Sequence, residues 1–228
     1  MPAPTSTSIP APPPDFGLRP LDIAERQLAG WHRISRFASG EPFFGRSGTG
    51  RFDDSQRPAR FGTCYLAASL AAAFGETLLR DALQAGGHYP MAWASIESRW
   101  HYAVQGTGTP QAGLRLADFR GAALRGLGLD IGFIFTTDYR HTQPWAVAVH
   151  AHPACVDGLL YLSRQVPGDE VVVLFDRARD RLRLDGPTPL IDAPSLARVL
   201  RTLRVRPEHL PEITDLGAEP AGPPGQAR

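Results

Sequence analysis

The sequence has no lysine at all: each of its 24 basic residues is arginine. A guanidinium is a planar fork of donors suited to phosphate oxygens, yet so complete an absence is read as GC-rich codon usage rather than as chemistry. Net charge is missing too. Against 23 acidic residues the arginines leave a formal charge of +1, so no global field recruits nucleic acid or an anionic membrane, and binding must be local. Cysteine is scarce. Cys64 and Cys155 are the only two, without CxxC or Cys/His spacing, which gives no metal site and fits a reduced, cytoplasmic setting. No apolar run reaches the length of a membrane span, and the N-terminus lacks the basic and apolar regions of a secretion signal.

What is present is enough for one core. At 228 residues and 43% apolar composition, a single domain over residues 18–206 is expected between two disordered tails. The extension 1–17 is rich in Pro, which blocks helix and ladder alike, and the tail 207–228 has few apolar side chains to offset its ordering entropy.

The most informative stretch is FGTCYLAASLAAAFGE, from Phe61 to Glu76. Phe61, Thr63 and Tyr65 alternate with Gly62, Cys64 and Leu66, the period of a short strand. Ser69 is placed as the N-cap of a following helix in which Leu70, Phe74 and Leu78 form an apolar stripe. Glu76 lies off that stripe beside Ala72, Ala73 and Arg80, where small side chains leave room for a ligand next to a carboxylate.

Before this unit, a first helix is predicted from Leu21 to Leu28, ended by Gly30. WHRISR is predicted as a strand with Arg33 pointing away from Ile34. Phe37 to Arg60 is predicted as a Gly- and Arg-rich loop containing Arg46, Arg51, Arg57 and Arg60. Its GRSGTG segment lacks the GKS or GKT ending of a phosphate-binding P-loop. After the unit, strands are predicted at Ile96–Gln105, Leu114–Phe119, IGFIF, Gly158–Ser163 and Val171–Phe175, with Arg181–Leu184 pairing to the last of these. Helices are predicted at Arg120–Leu127, at Gln143–His150 behind Pro144, and at Pro194–Leu203.

Taken in order, WHRIS, GTGRF, YLAASLAAAFGE, TQPWAVAVHAHPACVDGLLYLSR and VVVLFDR resemble the RES-domain family over roughly Gly30 to Val205. The resemblance implies an α/β (α+β) fold like that of ADP-ribosyltransferases and an enzyme that consumes NAD by breaking the nicotinamide–ribose bond, with phosphate, water or a protein as acceptor. It also implies a toxin neutralised by an Xre-type antitoxin, with homodimerisation left open. Carried over position by position, the family's functional residues fall on Arg33, Arg51, Tyr65, Glu76 and Ser163. Glu76 is then expected to stabilise an oxocarbenium-like ribose with Arg33 and Tyr65 beside it, while Arg33, Arg51, Tyr65 and Ser163 hold the dinucleotide. The sequence departs from the family's GRWN-like segment, reading Gly50, Arg51, Phe52, Asp53, and a carboxylate there would repel a pyrophosphate unless it points outward or pairs with Arg57 or Arg60. Two other readings compete: a thiol hydrolase using Cys64 with His32 or His150, and a catalytically silent RES-like module that binds a protein partner.

Overall fold

The computed structural model describes residues 9–107 and 113–208. Among these residues the strands are β1 (Ile23–Arg26), β2 (His32–Ser35), β3 (Thr63–Ala67), β4 (Tyr89–Ala92), β5 (Trp100–Thr107), β6 (Leu114–Asp118), β7 (Gly158–Leu162), β8 (Glu170–Phe175), β9 (Leu182–Pro189) and β10 (Val205–Glu208). The helices are α1 (Leu70–Leu78), α2 (Trp93–Glu97), α3 (Gly121–Gly126), α4 (Ile131–Phe135), α5 (Gln143–Ala151) and α6 (Leu196–Thr202). One large sheet runs β1-β6-β7-β8-β3-β2-β5-β9. Its neighbours are antiparallel except β6 and β7. A separate parallel pair joins β10 to β4.

Period-two alternation sorts each central strand between two cores. Tyr65, Ala67, Leu159, Tyr161, Val171, Val173 and Phe175 face the helices in the larger core. Cys64, Leu66, Leu160, Val172 and Leu174 face the other side, where Leu28 near one sheet edge and Leu182 at the other join the same cluster. Strands that far apart in the sheet order reach one cluster only if the sheet curls. The unbroken apolar run of β8 follows from its central place, covered on both faces. The fold is thus a mixed α/β single domain, as expected.

Four expectations are corrected. Residues 23–26 are a strand on β6 rather than part of a helix, because Arg26 also reaches Glu170 at 2.9 Å and ties the segment to the sheet. IGFIF is α4 rather than a buried strand: the Asp130 side chain caps Gly132 N at 2.8 Å, Phe133 and Ile134 are buried, and Ile131 and Phe135 are exposed. A short apolar run does not by itself distinguish these two states. The strand expected from Ile96 begins at Trp100, since residues 93–97 form α2. Arg181–Leu184 leads into a strand that pairs with β5 rather than β8, whose two edges are taken by β3 and β7.

The second half of the Pro-rich extension is also packed rather than loose. Phe16 is 4% exposed and meets Trp145 edge-on at a centroid distance of 5.4 Å, while Trp145 Nε1 donates to Pro10 O at 2.9 Å. Burying one such ring contributes roughly 1.5–3 kcal/mol. Residues 1–8 and 209–228 lie outside the described residues.

Candidate functional site

The site is built where α1 meets the turn after β7. The Ser69 hydroxyl caps α1 by accepting from Ala72 N at 3.0 Å, as the sequence predicts. Gly75 is required by close approach: a Cβ there would stand 2.6 Å from Gln165 Cβ. Glycine therefore lets the helix lie against residues 163–166, which carries Glu76 to its partners. Glu76 Oε1 accepts from Ser163 Oγ at 2.8 Å and from Arg164 N at 2.9 Å. Ser163 Oγ also accepts from Gln165 N and Val166 N, each at 3.1 Å, and the residue is 1% exposed. Its hydroxyl is fully engaged in holding the carboxylate.

The opposite wall is the loop before β3. Asp53 neither points outward nor pairs with Arg57 or Arg60; Arg60 pairs with Asp54 at 2.7 Å. The buried Asp53 carboxylate instead accepts from Gly50 N at 2.8 Å, Thr63 Oγ1 at 2.6 Å and Tyr65 OH at 3.0 Å. Tyr65 OH in turn accepts from Phe52 N at 3.0 Å. Gly50 is the second position that admits only glycine, because a Cβ would lie 2.5 Å from Asp53 Oδ1. Burial first, and the Asp53 charge second, push the Tyr65 phenol well above its ordinary range, so it stays neutral and hydrogen-bonded.

Between these walls lies a cavity of about 500 Å³ lined by Glu76, Tyr65, Arg33, Arg36, Arg51, Arg80, Tyr139 and Tyr161, among others. Arg51 is 5% exposed. It donates to Thr136 O at 2.7 Å and stacks over the Tyr139 ring at 5.2 Å, but forms no ion pair among the described residues. Arg80 lies 5.8 Å from the centre of the same ring. A buried guanidinium without a carboxylate is costly unless an anion completes it.

Arg33 borders the cavity, yet its guanidinium is engaged elsewhere. Nε pairs with Glu41 at 2.6 Å, Nη1 donates to Tyr65 O at 3.2 Å and Nη2 to Phe43 O at 3.3 Å. A larger hollow of about 680 Å³ is lined by His88, Arg201, Arg204 and Arg206 among others, but no carboxylate lines it. The smaller cavity, with Glu76 and several arginines in its wall, is therefore the candidate site.

Cys64 lies on the other face of β3, in the second core, and burial pushes its thiol up to about 11. His32 hydrogen-bonds His101 at 2.9 Å, and His150 stacks on Phe61 at 4.3 Å. A thiolate is therefore unavailable and both histidines have other partners, which removes the thiol-hydrolase reading.

The RES domain family matches residues 30–196. The chain belongs to the RES family. All five residues carried over from the RES pattern fall within that span. Among solved structures, this RES chain is similar to a chain of the M. tuberculosis MbcT–MbcA toxin–antitoxin complex, with 20% identity and a TM-score of 0.55 over 79% of this chain and 92% of that one. At that identity the likeness speaks for the fold. Comparison with curated proteins finds no match.

Sequence reasoning missed several residues of the RES cavity. Tyr161 was legible as a strand neighbour of Ser163 on the same face, and Arg80 as the i+4 neighbour of Glu76. Tyr139 sits in a loop without periodicity and left no signal. The role of Asp53 as an internal acceptor followed only from the pairing of the loop with β3.

Proposed function

We propose that this RES chain cleaves the nicotinamide–ribose bond of NAD and transfers the ADP-ribosyl group to phosphate, water or a protein. The observation that carries the reading is the pairing, in one cavity, of Glu76 fixed by Ser163 and Arg164 N with Arg51, buried and without an ion pair among the described residues. In the reaction the C1′–N1 bond breaks, its electron pair leaves with neutral nicotinamide, and an acceptor oxygen bonds to C1′. A water acceptor releases its proton; a hydrogen phosphate dianion need not. Positive charge growing on the ribose ring is stabilised by the fixed Glu76 carboxylate. Arg51, Arg80 and Arg36 meet the pyrophosphate. Tyr65 offers its ring as a wall, since its hydroxyl is tied to Asp53 and Phe52 N. Arg33 and Ser163 act as positioning residues, the first on the loop at Phe43 and the second on Glu76.

An enzyme that drains NAD requires restraint, and the similar fold comes from a toxin–antitoxin complex. Both support a toxin role with a protein antitoxin; an Xre-type antitoxin and a cytoplasmic setting are what the RES resemblance implies. Incubating the purified chain with NAD, with and without inorganic phosphate, should release nicotinamide. ADP-ribose 1″-phosphate identifies phosphorolysis and free ADP-ribose identifies hydrolysis. No nicotinamide under either condition or with added cell extract overturns the enzyme reading.

A further inference from the structure

The cavity has a second, shallower lobe that the chemistry at Glu76 leaves unused. It measures about 290 Å³ and is lined by Phe37 and Phe43, with Arg33, Ile34, Arg36, Ser47, Thr49, Tyr65, Thr77 and Arg80 shared between both lobes. That volume is at the lower end of small-molecule pockets. Phe37 and Phe43 are 51% and 47% exposed and meet edge to face at a centroid distance of 5.6 Å.

Two half-exposed aromatic rings on a loop are unfavourable in water unless something covers them. Their backbones, moreover, are fixed on both sides. Phe37 N donates to Ser35 Oγ at 3.1 Å, and Phe37 O accepts from Tyr102 OH at 2.9 Å. Phe43 N donates to Glu41 Oε2 at 2.7 Å, and Phe43 O accepts from Arg33 Nη2 at 3.3 Å. The buried Arg33–Glu41 pair thus holds one ring in place from both its N–H and its carbonyl. Asp53 borders the same lobe, but its carboxylate is occupied by Gly50 N, Thr63 and Tyr65, so it presents a satisfied acceptor rather than a free charge.

We infer that Phe37 and Phe43 form a stacking platform for the adenine base of the dinucleotide, an inference that rests on the NAD reading above. The order along the cleft matches the order of the ligand. A carboxylate stands at one end for the reacting ribose, Arg36 and Arg80 border the waist shared by both lobes, and apolar rings stand at the far end for the base. Every purine has a π-face, so stacking on such a platform needs no further donor or acceptor. The arrangement selects a ligand with an aromatic base beyond its pyrophosphate over one that ends at a phosphate.

Calorimetric titration with ADP and with ribose 5-phosphate tests this on the intact chain. The Phe37→Ala/Phe43→Ala protein should bind ADP more weakly by on the order of ten-fold, with ribose 5-phosphate binding unchanged, and Phe43→Trp should retain wild-type ADP affinity. Because both rings are half-exposed, the fold should survive, which thermal melting verifies. Equal ADP affinity in wild type and the double variant overturns the platform. So does a wild-type protein that binds ADP no better than ribose 5-phosphate, or a double variant that loses only a protein partner. These readouts need no turnover: a wild type that binds ADP through these rings but releases no nicotinamide would remove the chemistry at Glu76 and leave the platform standing.

Discussion

The Tyr65 hydroxyl donates to Asp53 Oδ1 at 3.0 Å, and this bond joins the loop that carries Arg51 to the strand that forms the cavity wall. The family pattern has an amide at the position of Asp53. Here a carboxylate collects four donors, three of them hydroxyls and one a backbone N–H, and needs no cation.

Asp53→Asn should therefore destabilise the protein. The amide presents an NH₂ group where the structure offers only donors, so one buried donor is left unmatched at a cost of about 1–3 kcal/mol. Urea denaturation of the two proteins measures it. Equal midpoints with equal slopes would show that the loop does not depend on this acceptor.

Glu76→Gln keeps the volume of the side chain and removes its charge. Turnover of NAD should fall on the order of a hundred-fold with the melting temperature nearly unchanged. Ser163→Ala should lower kcat by a smaller factor and leave KM close to wild type, since the hydroxyl touches Glu76 rather than the cavity. In a Glu76→Gln background the same Ser163→Ala change should cost little more, because the two residues act as one unit. Full additivity would place Ser163 on the substrate instead.

Alkylation separates the two thiols. Iodoacetamide should modify the exposed Cys155 and leave Cys64 untouched in the folded protein, with nicotinamide release preserved. Mass spectrometry that finds label on Cys64 together with loss of turnover would reverse the assignment.

Stability should fall as the pH drops. Burial holds His101 and His150 down to about 4 from the ordinary 6.5 and lowers His32 as well. The unfolded chain then binds more protons than the native one between those limits, so unfolding becomes easier from about pH 6.5 towards 4. His150→Phe preserves a ring against Phe61 and removes one titrating group, which should make the decline less steep. A melting temperature that is flat over this window in wild type would contradict the burial argument.

The elements that frame the candidate site were legible in the chain itself. Period-two alternation and the Ser69 cap determined β3 and α1, whereas Arg33, Arg51, Tyr65, Glu76 and Ser163 came together as a set only through the resemblance to the RES family. Local patterns carry these two elements because strand and cap geometry depend on neighbours a few residues apart. Tertiary structure decided what those residues touch. Contacts between residues 163–166 and Gly75 turned Ser163 towards Glu76, and the buried Glu41 drew the Arg33 guanidinium away from the cavity. The same limit explains the misread elements: residues 23–26 and 131–135 are short segments whose state follows from the edge or core they meet. Long-range pairing is set by which surfaces the folded chain brings together, and no local period encodes it.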